Sequence, residues 1–208
     1  MKHSLLLLGV VAALAIGAPA YSQYIFMDVN GSGTCTSADA LTSSVTAVDV
    51  YLVTDHNGNG STATCVNPAQ PLNMFSYSVL IHASGTGSVT FNGWTNTMAS
   101  YAPVSAFRAA GPDMGLGYAQ QPPGSVTAPG SYKLGTVSVT VTGTPTMSFL
   151  SLAPDASFPD FTGFGSSCDG TVFGNSEVLG YDFLDNCGTA SPTPTLNTTW
   201  GKIKQLYR

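Results

Sequence analysis

The stretch Thr136-Val-Ser-Val-Thr-Val-Thr142 decides the fold, because apolar and hydroxyl side chains alternate along all of it. Successive side chains of a β-strand point to opposite faces of the sheet, so this alternation predicts a strand with one buried and one exposed face. The same period of two recurs at residues 44–54, 77–82, 89–91, 147–150 and 179–183. Because this period dominates over the helical period of 3.6, the sequence predicts an all-β protein.

Turn residues separate these runs and keep each predicted strand short. The punctuating stretches are Asn57-Gly-Asn-Gly60, Ser84-Gly-Thr-Gly87, Pro129-Gly130 and Gly143-Thr-Pro145. Several short strands with such turns predict a single antiparallel β-sandwich, jelly-roll-like, over residues 23–187. Residues 95–128 lack the periodicity and are rich in Gly, Pro and Ala, so we expect long connections there with one or two edge strands.

Residues 1–22 have the pattern of a secretory signal peptide. A polar start at Lys2 precedes an apolar stretch at residues 5–16, and small residues follow at Ala18, Ala20 and Ser22. The apolar stretch is shorter than the roughly 20 residues that span a bilayer, and no other segment of the sequence is longer. The sequence therefore predicts a secreted or cell-surface protein without a transmembrane segment.

The chain is acidic and poor in charge. Charged residues make up 8% of it, against about 25% in a typical protein, and eleven acidic side chains oppose six Lys and Arg. Between residues 23 and 197 the cations are Arg108 and Lys133 alone. This distribution excludes a nucleic-acid partner. A surface of hydroxyls and amides suits other copies of the chain, cell-surface components or a polysaccharide as partners.

Four cysteines follow the signal: Cys35, Cys65, Cys168 and Cys187. An even number in an exported chain predicts two disulfides, for which three pairings are possible. We expect the sequence neighbours to pair, Cys35 with Cys65 and Cys168 with Cys187. Each disulfide would stabilise one end of the domain by about 2–4 kcal/mol.

A twelve-residue motif at residues 28–39 has the ligand spacing of a calcium-binding loop. Such a loop offers oxygens at positions 1, 3, 5, 7 and 12, with Gly at position 6 for the sharp turn. The ligand positions hold Asp28, Asn30, Ser32, Thr34 and Asp39, and Gly33 is sixth. The sequence therefore predicts calcium as a cofactor, bound weakly because two of the ligands are carboxylates. The alternative is a polar Gly-rich turn held by a disulfide at Cys35.

The motif resembles the loop of dockerin modules, in which Asp at position 12 opens a short helix, so the resemblance implies one at residues 37–41. The chain departs from dockerins at Ser32, where a carboxylate is usual, and at Cys35, where an aliphatic residue packs. Residues 24–27 before the loop have the pattern of a strand and not of a helix. No second repeat follows, so the resemblance implies a calcium loop without the cohesin-docking role.

A second, weaker metal candidate consists of Asp55, Asn57 and Asn59, again with oxygens at alternate positions before a Gly. Its twelfth position is Val66, which cannot close a calcium shell. Because Asn-Gly is a strong hairpin signal, a hairpin turn is the better interpretation.

Four aromatic residues in the irregular stretch are candidate ligand-binding residues: Trp94, Tyr101, Phe107 and Tyr118. Exposed rings would offer flat apolar platforms on which sugar rings stack. The alternative is that these rings close the ends of the sandwich core, which is the more common fate of aromatic side chains.

Residues suited to catalysis are scarce. Behind the signal the chain holds His56 and His82, and neither a nucleophile elbow nor a zinc-protease motif occurs. Glu177 with Asp182 or another Asp would supply the two carboxylates of a glycoside hydrolase, but the spacing does not favour that role over solvated turn residues. We therefore predict a protein that is not an enzyme.

The whole pattern is similar to that of cohesin-type and carbohydrate-binding β-sandwiches of secreted bacterial proteins. The residues that carry the similarity are 44–54, 75–82 continuing into 88–91, 129–141 and 147–152. The resemblance implies a sandwich that serves in scaffolding, adhesion or self-assembly at the cell surface. A carbohydrate-binding module is the alternative, and a glycoside hydrolase comes third.

The C-terminal residues differ in composition from the rest. Residues 188–199 form a Pro/Thr linker, and residues 200–208 form a basic tail with Trp200, Ile203 and Tyr207 on one helical face. Three interpretations remain open: the tail docks on the acidic body, it is a signal for export or surface attachment, or it is a frayed terminus.

Overall fold

The computed structural model describes residues 23–36, 38–57, 60–64, 71–122, 125–167, 176–178 and 182–186. The strands in these ranges are β1 (Tyr24–Asp28), β2 (Ala47–Val53), β3 (Asn73–Asn96), β4 (Tyr101–Ala110), β5 (Asp113–Gln120), β6 (Ser131–Phe149), β7 (Gly163–Ser167), β8 (Ser176–Val178) and β9 (Asp182–Asn186). The described part of the chain contains no helix, so the all-β prediction is confirmed there. No helix in it is long and apolar enough to cross a membrane.

The strands pair in the order β4-β5-β3-β6-β2-β1-β9, with β7 on β3 and β8 on β7. These pairings are antiparallel except that of β1 with β9, which is parallel. The predicted antiparallel pairing is therefore confirmed for all of these pairs except the one at this edge. A parallel pair requires a crossover connection, and the chain passes through all the other strands between β1 and β9.

Buried apolar side chains from both ends of this strand path belong to one hydrophobic core. Ile25 and Val50 lie on β1 and β2, Met114 and Leu116 lie on β5, and none is more than 2% exposed. The sheet therefore folds over so that its inner faces enclose one core, as expected of a sandwich. The predicted signal peptide, linker and tail lie outside the described residues, and so do Cys65, Cys168 and Cys187.

The two longest strands, β3 and β6, are continuous where the sequence predicted turns. β3 runs through residues 84–87, β6 runs through residues 143–145, and the two strands pair with each other along both segments. The first half of β3 pairs with β5 and β7, and the second half pairs with β6. What we expected to be two turns between short strands is one long two-stranded ribbon.

Glycines make this continuity possible. Gly87 has a φ of 122° and lies opposite Gly143, whose φ is 70°. A Cβ added to Gly87 would clash with the carbonyl oxygen of Thr142. These glycines therefore serve the close approach of two backbones and do not reverse the chain.

Residues 95–128 contain two strands, of which β4 lies at a sheet edge and β5 lies between β4 and β3. Apolar and polar side chains do not alternate along β5, because the residues between Met114, Leu116 and Tyr118 are small and not polar. A Cβ on Gly115 would lie 2.7 Å from both Leu80 Cδ2 and Phe158 Cδ1, so the loop after β6 covers the Gly115 face of β5 at close range. The Arg108 guanidinium lies over the Phe158 ring, 5.4 Å from its centroid.

Candidate functional site

The loop after β1 is built around two aspartates that solvent does not reach. Asp28, the last residue of β1, is 1% exposed, and Asp39 is 0% exposed. Gly31 and Gly33 have φ values of 72° and 73°, which residues with a side chain rarely adopt. The sharp turn expected at the sixth position of the loop is therefore present at Gly33.

Asp28 accepts hydrogen bonds from three backbone N–H groups of the loop. Its Oδ1 accepts from Gly31 at 2.8 Å and from Ser32 at 3.2 Å, and its Oδ2 accepts from Gly33 at 2.5 Å. Backbone donors that converge on one carboxylate replace the water that would otherwise solvate it, and they hold the loop tightly to the end of β1.

Asp39 closes the loop from the other side. Its Oδ1 accepts from the N–H groups of Val29 at 2.9 Å and Asn30 at 3.2 Å, and its Oδ2 accepts from the N–H and the hydroxyl of Thr36 at 2.9 and 3.0 Å. Burial raises the pKa of this carboxyl, but these four donors outweigh burial and hold the pKa below its ordinary value. Asp39 is therefore a charged anchor of the loop.

The short helix implied for residues 37–41 is absent from its described part, residues 38–41. The Asp39 N–H donates to the Thr36 carbonyl at 3.2 Å, while the Asp39 side chain accepts the Thr36 N–H. These reciprocal bonds close a tight turn, which competes with a helix for the same backbone groups.

The oxygens at the predicted calcium positions differ in how many hydrogen bonds they already accept. A carboxylate offers about four lone-pair sites, so four donors saturate Asp39 and three leave one site on Asp28. The Asn30 side-chain oxygen accepts one N–H, from Ser32 at 2.9 Å, and the Thr34 carbonyl accepts the Ser32 hydroxyl at 3.0 Å. A cation here would find acceptor capacity on Asp28, Asn30 and Thr34. In the described residues no three His, Cys, Asp or Glu side chains converge as a metal site.

The loop folds back onto the outer face of β1 and β2. A Cβ on Gly33 would be 3.6 Å from the Tyr51 hydroxyl, so loop and sheet are in contact there. A groove of roughly 380 Å³ lies beside this contact, lined by Tyr24, Phe26, Gly33, Thr34, Cys35, Val53 and Ser131. Cys35 lines this groove, where a disulfide would tether the loop covalently. The identity of its partner stays a prediction.

The second metal candidate is occupied by hairpin contacts. Residues 56 and 62 form a β-bridge, and the Asn57 N–H donates to the Ser61 carbonyl at 2.8 Å. Asp55 Oδ1 bonds to His56 Nδ1 at 2.6 Å, and the Asn57 amide donates to Ser61. The hairpin interpretation is thereby confirmed for the described residues, and Asn59 lies outside them.

The four candidate aromatic residues pack against the core and form no common platform. Tyr101 is 4% exposed and donates its hydroxyl to the Met74 carbonyl at 3.0 Å. Tyr118 stacks on Tyr77 with centroids 5.5 Å apart, and Trp94 and Phe107 are half-buried against the same core. Burial raises the pKa of Tyr101 to about 12, in keeping with a phenol sealed from water. The alternative interpretation, in which these rings close the core, describes their positions.

His82 has a partner that the sequence did not reveal. It lies opposite Asp113 in the pairing of β3 with β5, and its Nδ1 is 2.7 Å from Asp113 Oδ1. The signal in the sequence was the Gly111-Pro112 turn, which predicts that Asp113 begins a strand. Of the two carboxylates considered for hydrolysis, Glu177 lies on β8 and Asp182 on β9.

Comparisons with known proteins leave the chain without a family. No family model matches it, and no curated protein matches it. One solved structure is similar: the second type II cohesin module from the adaptor ScaA scaffoldin of Acetivibrio cellulolyticus, at 13% identity, over 87% of this chain and 98% of that chain, with a TM-score of 0.43. At this TM-score the likeness carries neither a fold nor a function over to the chain.

Proposed function

We propose that the chain is a non-catalytic extracellular module that serves in scaffolding, adhesion or self-assembly at the cell surface and is stabilised by calcium. The observation that carries this proposal is the loop at residues 28–39, which two buried carboxylates and two positive-φ glycines hold in one shape. The predicted disulfide at Cys35 would add a covalent link. A loop whose conformation is fixed at so many points suits a domain that must keep its shape outside the cell. Disulfides persist in oxidising compartments, which supports the extracellular location.

Calcium fits the acceptor capacity that the loop retains. Asp28 supplies a carboxylate oxygen, Asn30 an amide oxygen and Thr34 a carbonyl oxygen, which are hard ligands of the kind calcium takes. Because Asp39 is saturated by four donors, it would contribute only by giving one of them up. The proposal is therefore for a weak site, on the order of the 10⁻⁴–10⁻³ M dissociation constants of extracellular modules.

Thermal unfolding with and without calcium tests the site. At ten times the dissociation constant, the free energy of unfolding should rise by about 1.4 kcal/mol. Asn30→Ala should remove most of this gain. It should change the calcium-free protein little, because Asn30 and its two side-chain hydrogen bonds, with the Ser32 N–H and the Thr36 hydroxyl, are exposed to water. Asp28 is unsuitable for this purpose because its loss would also free three backbone donors. Asp55→Asn, an exposed site in the other turn, is the matched control and should keep the full gain.

Magnesium should substitute poorly, because it demands a small, regular octahedral shell. If calorimetry finds no heat of binding at millimolar calcium and the wild-type protein gains no stability, the loop is held by its own hydrogen bonds and the calcium part of the proposal is wrong.

Self-assembly is tested separately, through the basic tail. Size-exclusion chromatography of the mature chain should show association that weakens when residues 198–208 are deleted, because the tail carries three cations and the rest of the mature chain is acidic. The linker should uncouple the tail from the core, so the melting temperature should stay within a few degrees. A large loss of stability on deletion would make the tail part of the fold and would overturn the assembly role.

A further inference from the structure

The outer face of the β3–β6 ribbon is an uninterrupted strip of exposed polar side chains. We call it the hydroxyl strip. Its members are Ser84, Thr86, Ser88, Thr90 and Asn92 on β3, and Ser138, Thr140, Thr142, Thr144 and Thr146 on β6. All ten are exposed, and no residue from 84 to 92 or from 138 to 146 is charged.

Strand register sets the spacing of the strip from residue 84 to residue 90. Between Phe91 and Gly93 the register shifts, so Asn92 has no directly opposed residue and Ser138 lies opposite Gly93. Thr90 lies opposite Thr140, Ser88 opposite Thr142, and Thr86 opposite Thr144. Neighbouring strands lie about 4.8 Å apart, and alternate residues of one strand lie roughly 6.7 Å apart. The strip is therefore two side chains wide and roughly 26 Å long, a shape that accommodates one extended polymer chain.

Several of its side chains are held in place before any ligand arrives. The Ser84 and Thr146 hydroxyls are 3.0 Å apart, the Ser88 and Thr142 hydroxyls are 2.8 Å apart, and the Asn92 amide donates to Thr140 at 3.0 Å. In the Ser88–Thr142 pair one proton bridges the two oxygens, so the other proton and several lone pairs stay available. In the Ser84–Thr146 pair the Thr146 hydroxyl also donates to the Ser84 carbonyl at 3.5 Å, so this pair offers mainly lone pairs. The opposite face of the ribbon anchors these strands in the core, where Val89, Val139 and Val141 are at most 5% exposed. Such preorganisation lowers the entropy lost on binding.

The chemistry of the strip selects the class of partner. A polyanion is disfavoured because the cations in the described ranges are both engaged elsewhere: Lys133 binds Asp49 at 2.6 Å, and Arg108 lies over Phe158. A protein partner is disfavoured because protein interfaces centre on large apolar or aromatic side chains, and the strip has none. The large apolar side chains exposed in the described residues, Val104 and Leu152, lie outside it.

We infer that the hydroxyl strip binds a neutral linear polysaccharide, whose repeating hydroxyl groups both donate and accept hydrogen bonds and carry no charge. The inference rests on the proposed adhesion role and names its ligand. It places the binding surface on exposed threonines and serines of β3 and β6, and not on the aromatic residues Trp94, Tyr101, Phe107 and Tyr118.

Depletion from solution by washed insoluble polysaccharides tests the inference with the mature chain. Cellulose, chitin and mannan are the neutral probes, and alginate is the anionic probe. The wild-type protein should bind at least one neutral polymer and leave alginate unbound. The triple variant Thr140→Val, Thr142→Val and Thr144→Val keeps the shape and β-propensity of each side chain but removes its hydroxyl, and it should bind at least about tenfold more weakly.

The matched control is Thr→Ser at the same three positions, which keeps the hydroxyls and should change binding by less than about twofold. Both variants are checked for wild-type melting temperature before binding is compared. Failure of the wild type to bind any neutral polymer, or equal binding by the valine variant, would overturn the inference. If the valine variant instead changes the elution volume in size exclusion, the strip is a protein interface and the inference is also overturned. The proposed calcium and assembly roles are tested apart from it and would survive either result.

Discussion

Gly87 and Gly143 are directly opposed on β3 and β6, and neither position has room for a side chain. A Cβ on either residue would come within 3.0 Å of the other residue's Cα and would press on a facing backbone carbonyl. The ribbon that carries the hydroxyl strip therefore depends on two backbones that touch at its centre. Any residue other than glycine would force them apart.

Gly87→Ala should destabilise the protein more than a change of backbone propensity explains. Gly31 also has a positive φ, but an added Cβ would meet no other atom there. Gly31→Ala should therefore lower the free energy of unfolding by about 1–2 kcal/mol. Gly87→Ala adds a backbone clash and should cost clearly more. Gly93→Ala, in the same strand with open space and no positive φ, is the control and should change stability by less than about 0.5 kcal/mol. Urea unfolding of the three variants gives the comparison, and equal costs for residues 31 and 87 would contradict the close approach.

Asp39 should make the fold sensitive to acid. The pKa of Asp39 lies below its ordinary value in the folded protein, because its four hydrogen-bond donors outweigh burial. Its ionised form therefore stabilises the fold above about pH 4, and this contribution is lost as the pH falls through the lower folded pKa. Asp39→Asn presents an N–H₂ group to backbone donors, so it should lower stability at pH 7 by about 1–3 kcal/mol and flatten the loss of stability below about pH 4.

Urea unfolding at pH 7, 4 and 2 measures both effects of Asp39→Asn. The exposed Asp55→Asn is the control and should leave the profile close to that of the wild type. An unchanged acid profile in Asp39→Asn would show that the carboxyl does not anchor the loop.

Tyr101 should make the fold sensitive to alkali. Burial raises the pKa of Tyr101 to about 12, above the value near 10 of a free tyrosine. Its contribution to stability is therefore complete below about pH 10, and on the order of 2 kcal/mol is lost as the pH rises from there through the folded pKa. Tyr101→Phe should cost about 1 kcal/mol at pH 7, since the hydroxyl bonds to Met74 and Thr127 are lost, and it should reduce the alkaline loss. Denaturant melts from pH 8 to pH 11 test this, and an equally steep loss in the variant would exclude Tyr101 as its source.

The disulfides should follow sequence order. The four cysteines form an even set in a chain with a signal-like start, which predicts that all of them are paired. Non-reducing peptide mapping of the mature protein should link Cys35 to Cys65 and Cys168 to Cys187, with no thiol open to alkylation. A link from either of the first two cysteines to either of the last two would defeat this pairing.

The sequence alone indicated the fold class and the positions of the main strands. Alternation in Thr136-Val-Ser-Val-Thr-Val-Thr142 predicted which side chains are buried, and Val137, Val139 and Val141 are at most 4% exposed. Alternation can be recognised in a sequence because it is a local property. Successive side chains of a strand point to opposite faces of the sheet, so a short stretch shows which of them share a face. For the same reason, the turn at Gly33 and the hairpin that begins at Asn57 could be predicted from short stretches of residues.

Tertiary structure alone decided three further properties. The glycines at 85, 87 and 143 have the composition of turns, but which strand lies opposite them depends on residues more than fifty positions away, so no local pattern distinguishes a turn from a close approach. The saturation of Asp39 depends on where the Val29 and Thr36 amides point. The hydroxyl strip exists because register aligns two separate alternating runs into one face. Sequence periodicity determines the face of a side chain, whereas its cross-strand neighbours follow only from the long-range pairing that the tertiary fold selects.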